Sequence, residues 1–490
     1  MSLEKTIFKG VSWMAFFSSF GQALSWFVTI LVARILVPAD YGLMSMATVI
    51  TGYALSLSEL GLGNAVIQRQ NVTEKQLSSV FWFVTAISVA LAISCVPLSY
   101  LTAHVMREPR VIPIAQAVSL MFLLTGLQVI PSSLLRKRMD FKSVGLVDVI
   151  SVFTASVSML VIARSGGGVW TLLLGSVIRA GTRALVLFGM VDWRPRMHFD
   201  FRESRSFLSY GVNIALGRSL FYVQERSDRF FAGRAWKPDI LGYYTVALEL
   251  AQIPADKIVT LINNVSFPAF SQVQDDPVRF ARLYLNIAKV TAVVNLPLFM
   301  GGFIFGDDLI RLVLNPNWYP MIFVFRMLCL AQILTNMNAI NNFVHAAQGR
   351  PQWSLYYHLC CVICMPASFA VAAESGLNAM VVPWLSTYAV LCIGWVLISL
   401  RKLGITVSRY ASTLSKPVLA TGIMSVVMLA ANDYVLRPYR SASPVAFLPA
   451  GVAGVAAYAA FFWLFDREYL FSLRRLTASV DTKARPLTDA

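Results

Sequence analysis

The stretch ARILVPADYGLMSMA, residues 33–47, recurs in outline as GRAWKPDILGYYTVA, residues 233–247. Four residue types return at the same offset, and these are Arg34, Pro38, Gly42 and Ala47, then Arg234, Pro238, Gly242 and Ala247. Each copy joins one long apolar block to the next. Their recurrence in register indicates an internal duplication, although proline and glycine serve tight turns between helices in any membrane protein.

The composition is that of a membrane protein. Hydrophobic residues make up 57% of the 490 residues and charged residues only 13%, whereas a soluble domain is nearer half apolar and a quarter charged. Apolar blocks of about 18 residues or more indicate membrane-spanning helices. We therefore predict an all-α polytopic membrane protein with about 14 transmembrane helices. Their expected bounds are 10–33, 41–62, 76–103, 110–134, 144–164, 168–191, 207–231, 239–263, 281–305, 320–346, 354–374, 377–400, 414–435 and 444–465.

The duplication predicts how these helices are grouped. The first copy joins spans 1 and 2 and the second joins spans 7 and 8, so both copies have the same orientation across the membrane. Two parallel halves are typical of transporters that hold substrate near the midplane between them and rock to open either side. The expected parts are an N-terminal six-helix lobe (1–191), a cytoplasmic linker (192–206), a C-terminal six-helix lobe (207–400), two additional C-terminal helices (401–466) and a cytoplasmic tail (467–490).

The basic residues predict the orientation of the chain. There are 41 Lys+Arg against 25 Asp+Glu, and roughly 24 of the basic residues lie in alternate segments counted from the N-terminus, against roughly nine in the others. The positive-inside rule then places both termini in the cytoplasm. The clusters RKRMDFK (136–142) and RPRMHFDFRESR (194–205) are expected to be solvated and not to bind nucleic acid, because no folded module accompanies them.

Motifs for metal and nucleotide chemistry are missing from the sequence. Cys361 and Cys364 have CxxC spacing, but no second pair completes a metal site. No GxxxxGK[ST] motif for nucleotide phosphates is present. The loops are no longer than about 15 residues, which leaves no room for a catalytic domain. We therefore expect no cofactor and no enzymatic activity.

Charged residues on span 7 give the first part of a candidate site. A charge at the centre of the bilayer costs about 2.5–3.5 kcal/mol on insertion scales, so it usually faces a cavity or a partner. Arg218, Glu225 and Arg229 are separated by seven and four residues, which puts them close to one line along the helix. Arg226 and Asp228 flank that line on either side. A structural ion pair such as Arg218 with Glu225 is the alternative to a cavity role.

Basic residues on three other spans extend the candidate site. Arg179 and Arg183 lie one turn apart on span 6, Lys289 lies on span 9, and Arg326 lies on span 10 with the amide-rich stretch 332–342. Arginines favour an anion, since guanidinium is a planar fork of donors that keeps its charge when partly desolvated. The expected substrate-binding residues are Arg179, Arg183, Arg218, Arg226, Arg229, Lys289 and Arg326. The carboxylates expected to carry a coupling ion are Glu225, Asp228 and Glu249.

Five stretches together resemble one family. They are MSLEKTIFKGVSWMA (1–15), ARILVPADYGLMSMA (33–47), ELGLGNAVIQR (59–69), PSSLLRKRMDF (131–141) and FPAFSQVQDD (267–276). They resemble the bacterial polysaccharide transporter family, most of all its colanic-acid and teichuronic-acid branch of Wzx-type flippases, within the multidrug/oligosaccharidyl-lipid/polysaccharide exporter superfamily. The resemblance implies a flippase of the bacterial inner membrane that moves undecaprenyl-pyrophosphate-linked oligosaccharide to the periplasmic leaflet.

The resemblance also implies a mechanism and partners. The pyrophosphate would enter a cationic cavity by alternating access, while the isoprenoid tail stays in lipid along spans 13 and 14. The expected partners are the lipid-linked oligosaccharide pyrophosphate, membrane lipids and the polysaccharide polymerase and co-polymerase complex, with the chain itself a monomer that binds no nucleic acid. The alternatives are a membrane glycosyltransferase or ligase and a non-transporting component of polysaccharide assembly.

Overall fold

The computed structural model describes residues 3–58, 62–69, 72–200, 219–350, 352–436 and 445–467, and throughout these ranges the regular structure is helical. Eleven of the described helices are long and apolar enough to cross a membrane. Helices satisfy every backbone donor and acceptor internally, as a lipid environment requires. The predicted all-α polytopic fold is confirmed, while the count of about 14 spans stays a prediction.

The helices follow one another with short connections. Helices α1 to α9 are Leu3–Ile35, Pro38–Ser58, Leu62–Gln68, Glu74–Met106, Val111–Lys137, Phe141–Arg164, Val169–Met190, 219–235 and Pro238–Gln272. Helices α10 to α17 are Pro277–Ile304, Gly306–Val313, Ile322–Ala347, Gln352–Glu374, Val382–Leu385, Thr387–Lys402, Val407–Ala430 and Leu448–Phe465. Two 3-10 helices, Pro316–Met321 and Leu377–Val381, and a π-helical turn, Ala431–Leu436, complete the set.

Polar caps determine where several spanning helices begin. Thr73 and Gln76 form a capping box at the start of α4, in which the Thr73 hydroxyl accepts from the Gln76 N–H and the Gln76 amide accepts from the Thr73 N–H. Asp140, Asp276 and Thr406 accept from the first turns of α6, α10 and α16. A cap satisfies donors that the helix itself leaves free. These helices therefore begin before the apolar block that predicts each span.

The described residues pack into two compact units. The first comprises those within Met1–Glu249, Val313–Met321 and Tyr356–Tyr388, and the second those within Leu250–Leu312, Ile322–Leu355 and Ala389–Ala490. In the first unit α4 packs on α5, α1 on α6, and α7 on both α5 and α6. In the second unit α10 packs on α12 and α16, and α16 on α17. The predicted six-helix lobes follow from the sequence repeat and stay a prediction.

The two copies of the repeated phrase meet inside the first unit. A Cβ atom on Gly42 would overlap the carbonyl oxygen of Pro238, and a Cβ on Gly242 would overlap the carbonyl oxygen of Pro38. Pro38 and Pro238 are the first residues of α2 and α9. The glycines let the two helix starts cross at backbone contact, and each copy supplies both a glycine and a proline. This reciprocal contact explains why both residue types recur at the same spacing.

Trp318 packs between the two copies. Its ring centroid lies 5.4 Å from that of Tyr41 and 6.3 Å from that of Tyr243, edge to face in both cases. Its indole N–H donates to the carbonyl of Ala33 across 2.8 Å, and the side chain is fully buried. Through Trp318, the segment Val313–Met321 thus packs against both copies of the repeated phrase.

Candidate functional site

Helix α8 carries the densest set of candidate charges in the first unit. Asp228 and Arg229 are buried, with 1% and 3% of their surface exposed, whereas Glu225 is exposed and Arg226 is partly buried. The predicted line through Glu225 and Arg229 therefore runs from the exposed surface of the helix into the packed interior. Arg218, the third residue on that line, lies outside the described residues.

Asp228 accepts hydrogen bonds in a buried network. The Tyr244 hydroxyl donates to its Oδ2 across 2.8 Å, and the backbone N–H of Arg229 donates to its Oδ1 across 2.6 Å. The indole N–H of Trp384 in turn donates to the Tyr244 oxygen across 3.0 Å. Arg229 interacts electrostatically with Asp228. A buried carboxylate with these partners is a fixed negative charge beside Arg229.

Arg226 and Arg229 keep donors free for a ligand. The Nε atom of each is buried and, among the described residues, has no hydrogen-bond partner. Glu249 on α9 is exposed and interacts electrostatically with both guanidinium groups. Glu225 interacts with Arg229 in the same way. Two arginines with unused donors beside an exposed carboxylate form a site that an anion can enter by competing with that carboxylate.

An apolar cavity of about 390 Å³ lies beside Arg226. Its lining residues are Val49, Ile50, Tyr53, Tyr222, Val223, Arg226, Ser227, Phe230, Phe231 and Pro366, from α2, α8 and α13. The Arg226 guanidinium lies 5.9 Å from the centroid of the Tyr222 ring. The Tyr222 hydroxyl is 3.0 Å from the carbonyls of both Thr48 and Val49. One cation at the edge of an apolar cavity suits a ligand that joins an anion to a hydrocarbon chain.

The two arginines of α7 differ in their partners. Arg183 pairs with Asp148 of α6, with 3.3 Å between Nη1 and Oδ1. Arg179 is exposed and interacts electrostatically with Arg183 and Asp148, and it has no ion-pair partner within the described ranges. Arg183 thus pairs with a carboxylate of the preceding helix, whereas the guanidinium of Arg179 is exposed on the surface of α7.

Lys289 and Arg326 belong to the second unit and have partners there. The Lys289 ammonium lies 2.6 Å from Asp466, which also pairs with Lys416 at 3.0 Å. Burial would raise the pKa of the Asp466 carboxyl, but the hydrogen bonds from both lysines outweigh it and lower that pKa. The Arg326 Nε donates to the carbonyl of Phe303 across 2.7 Å. These contacts hold helices of the second unit together.

Two amides of the stretch 332–342, those of Asn336 and Asn341, also serve packing. The Asn336 amide donates to Asn295 of α10 across 2.8 Å, and Asn295 donates to the carbonyl of Ile333 across 3.0 Å. The Tyr284 hydroxyl donates to Asn341 across 3.0 Å. All four polar side chains are buried. Interhelical hydrogen bonds of this kind stabilise helix pairs in membranes, and these amides therefore join α10 to α12.

Sequence reasoning missed the aromatic and histidine partners of α8. Tyr244 is hydrogen-bonded to Asp228 and Tyr222 lies beside Arg226, while Trp384 reaches Asp228 only through Tyr244. His358 on α13 is hydrogen-bonded to Gln224 across 2.8 Å. Aromatic residues within apolar spans are expected to pack against lipid or core, so their spacing carries no signal of these contacts. Among the described residues, no group of three His, Cys, Asp or Glu side chains is arranged to hold a metal ion.

Comparison with known proteins places the chain in a family. Residues 31–323 match the family described as polysaccharide biosynthesis protein. The chain is 25% identical to the lipopolysaccharide biosynthesis protein WzxC of Escherichia coli over 71% of each chain. It is 23% identical to the succinoglycan biosynthesis transport protein ExoT of Rhizobium meliloti over 98% of each chain. It is also 23% identical to the teichuronic acid biosynthesis protein TuaB of Bacillus subtilis, over 77% of this chain and 79% of that one.

Solved structures show the same fold at low identity. The lipid II flippase MurJ in an inward closed conformation matches with a TM-score of 0.73 and 14% identity, over 93% of this chain and 99% of that chain. An inward-facing MATE family transporter of the MOP superfamily matches with a TM-score of 0.63 and 15% identity, over 78% of this chain and 94% of that chain. The names of three of these proteins describe a transport protein, a flippase and a transporter, and not an enzyme. The chain therefore belongs to the polysaccharide biosynthesis protein family, as a multi-pass membrane protein with a MOP-type transporter fold.

Proposed function

We propose that the chain is a flippase that moves undecaprenyl-pyrophosphate-linked oligosaccharide repeat units across the bacterial inner membrane, for an exopolysaccharide, a capsule or an O-antigen. Its family, its similarity to a succinoglycan transport protein and its fold likeness to a lipid II flippase support this proposal. The observation that carries it is the pair Arg226 and Arg229, whose buried Nε atoms have no partner within the described part of the chain.

The chemistry of this pair fits a pyrophosphate head group. A pyrophosphate that leaves water loses strong hydration, and that cost is offset only by charged donors held in place. Arg229 interacts electrostatically with the buried carboxylate of Asp228, and Arg226 lines the apolar cavity. Guanidinium groups match phosphate oxygens with two parallel hydrogen bonds. The head group would bind the arginines while the first part of the lipid chain contacts apolar residues.

Glu249 is the carboxylate best situated to couple binding to an ion. It is exposed and interacts with both Arg226 and Arg229, whereas Asp228 is sealed in its hydrogen-bond network. Binding of a proton or a sodium ion at Glu249 would release the arginines to the substrate. Loss of that ion would restore the negative charge of Glu249. This charge would favour release of the pyrophosphate on the opposite side of the membrane. Alternating access of a monomer, with delivery to a polymerase complex, completes the proposed cycle.

Complementation tests the proposal. A flippase-null strain of matched polysaccharide type is transformed with the wild type, Arg226→Gln, Arg229→Gln or Arg164→Gln. Arg164 is an exposed residue at the end of α6 and does not line the cavity beside Arg226. We expect Arg226→Gln and Arg229→Gln to accumulate lipid-linked repeat units inside the cell at normal membrane abundance, and Arg164→Gln to export normally. Normal export by Arg226→Gln and Arg229→Gln would show that transport does not depend on this arginine pair.

A second assay separates transport from enzymatic activity. Purified protein in detergent is incubated with lipid-linked oligosaccharide and sugar nucleotide. We expect the lipid-linked substrate to be recovered unchanged. Turnover of either compound would favour a glycosyltransferase or ligase and would contradict the proposed function even if complementation succeeded.

A further inference from the structure

A second cavity, basic in character, lies where helices α4 and α8 end. Its volume is about 540 Å³. Its lining residues are Ala103, His104, Val105, Arg107, Pro109 and Arg234. Three of these six side chains are basic and none is acidic, and none of them belongs to the site around Arg226 and Arg229. The cavity is thus a separate feature of the first unit.

The backbone of α4 presents Arg107 to this cavity at a steric cost. Arg107 is the C-cap of α4 with φ 56°, in the left-handed region, and its N–H is directed at the carbonyls of Ala103 and His104. A helix C-cap in this conformation is usually glycine, because a Cβ atom is crowded there. Residues held in such conformations cluster at binding sites. The arginine side chain is therefore present where the backbone alone would favour glycine.

Close packing brings Arg234 next to this turn. A Cβ atom on Gly233 would lie 2.9 Å from the sulfur of Met106, so the end of α8 touches the end of α4. Beyond Arg234, the indole N–H of Trp236 donates to the carbonyl of Ala373 across 2.8 Å. Both arginines consequently extend from a fixed backbone, and the cavity between them is part of the fold.

The charges of Arg107 and Arg234 are not neutralised by the described part of the chain, where neither side chain has a hydrogen-bond or ion-pair partner. The neighbouring Arg110 differs, since its guanidinium pairs with Glu108 at 2.8 Å, and this hydrogen bond lowers the pKa of the Glu108 carboxyl. Arg34, the counterpart of Arg234 in the first copy of the repeat, donates to the carbonyl of Val313. Of these two matching arginines, only the side chain of Arg234 has no partner among the described residues. It lies beside two further basic groups.

We propose that this cavity binds a phosphate group carried by a lipid. Guanidinium forks pair with phosphate oxygens in two parallel hydrogen bonds, and a volume of this size lies in the usual range of ligand pockets. The cavity lies at the end of α4 and α8 that the distribution of basic residues predicts to be periplasmic. The phosphate has two possible sources, which are the head group of an anionic phospholipid and the pyrophosphate of a lipid-linked sugar that has crossed the membrane.

Binding to the full-length protein in phosphatidylcholine nanodiscs tests the proposal. The probes are phosphatidylglycerol and undecaprenyl pyrophosphate, each titrated and followed by native mass spectrometry. Arg107→Gln and Arg234→Gln are compared with Arg164→Gln, which removes the same charge from the exposed end of α6. We expect about tenfold weaker binding for each cavity variant, because charge-assisted hydrogen bonds are the strong ones, and less than about twofold change for the control.

The outcomes separate the two sources. Loss confined to phosphatidylglycerol assigns the site to the membrane head group, and loss confined to undecaprenyl pyrophosphate assigns it to the translocated lipid. Loss with both probes assigns it to lipid phosphate in general. Cavity variants that bind both probes like Arg164→Gln would overturn the proposal, provided that thermal unfolding shows them to be folded. The proposed transport site is tested separately, by export in the Arg226→Gln and Arg229→Gln strains, so its failure is distinguishable from failure here.

Discussion

The hydroxyl of Tyr244 donates to Oδ2 of Asp228 across 2.8 Å, with both side chains almost fully buried. Tyr244 belongs to the second copy of the repeated phrase, and the matching position of the first copy is Met44. The duplication therefore supplies the crossing of two helix starts in both copies, but a hydrogen-bond donor to a buried carboxylate in only one. The buried network around Asp228 therefore uses a side chain of the second copy alone.

Removing that donor should destabilise the protein. In Tyr244→Phe the Asp228 carboxylate keeps its burial and loses one partner, which costs about 1–3 kcal/mol for a buried polar group. We expect a lower melting temperature in detergent and reduced export at reduced membrane abundance. The adjacent Tyr243→Phe is the matched control, because its ring contact with Trp318 is retained. Equal melting temperatures for the two variants would contradict the structural role given to this hydrogen bond.

The sequence predicts the framework better than it predicts the charged contacts. Apolar blocks and the recurring Pro38 and Gly42 indicate spanning helices and their junctions, because both signals are local. Helical spacing also places Arg226 and Arg229 on one helix. It does not show which neighbouring helix faces α8, and so the sequence could not predict Tyr244 as the partner of Asp228 or Trp384 as the partner of Tyr244.

Ion pairs over long sequence distances show the same limit. The sequence predicts that Lys289 binds substrate and gives no sign of its partner Asp466, which lies 177 positions later in the chain. Arg183 similarly pairs with Asp148 on the preceding helix. A charge in an apolar span signals that a partner or a cavity is needed. Only the packing of helices decides between the two.

Glu249→Gln should strengthen binding of the head group. The substitution removes the carboxylate that interacts with both Arg226 and Arg229. The head group then binds these arginines without displacing a negatively charged side chain. We expect about a few-fold tighter binding of undecaprenyl pyrophosphate, together with slower transport that depends less on pH in sealed vesicles. Glu374→Gln, at the exposed end of α13, is the control for an equal change of charge. Unchanged binding and an unchanged pH profile would exclude Glu249 as the coupling group.

Alanine at Gly42 or Gly242 should disrupt the crossing of α2 and α9. Each new Cβ would overlap a backbone carbonyl, which cannot move aside as a flexible side chain can. Overpacking of this kind costs about 1–3 kcal/mol. We expect either variant to lower the melting temperature and the membrane abundance. Gly189→Ala in α7 is the control, since no atom lies within 4 Å of its added Cβ, and it should match the wild type. Wild-type stability of Gly42→Ala would mean that the two copies do not touch in the membrane.

The pairing of Asp466 with Lys289 and Lys416 should make stability sensitive to acid. The lysines hold the pKa of Asp466 below its usual value, so the stabilisation is present in full well above about pH 4 and is lost as the pH falls through the lowered pKa. Asp466→Asn should remove this pH dependence and destabilise the protein at neutral pH by about 3 kcal/mol, because two lysines lose a mostly buried partner. Chemical denaturation between neutral and acidic pH measures both effects. Asp433→Asn, an exposed change in the same unit, should follow the wild-type curve. If Asp466→Asn followed that curve as well, the pair would contribute nothing to holding the end of α17 against α10.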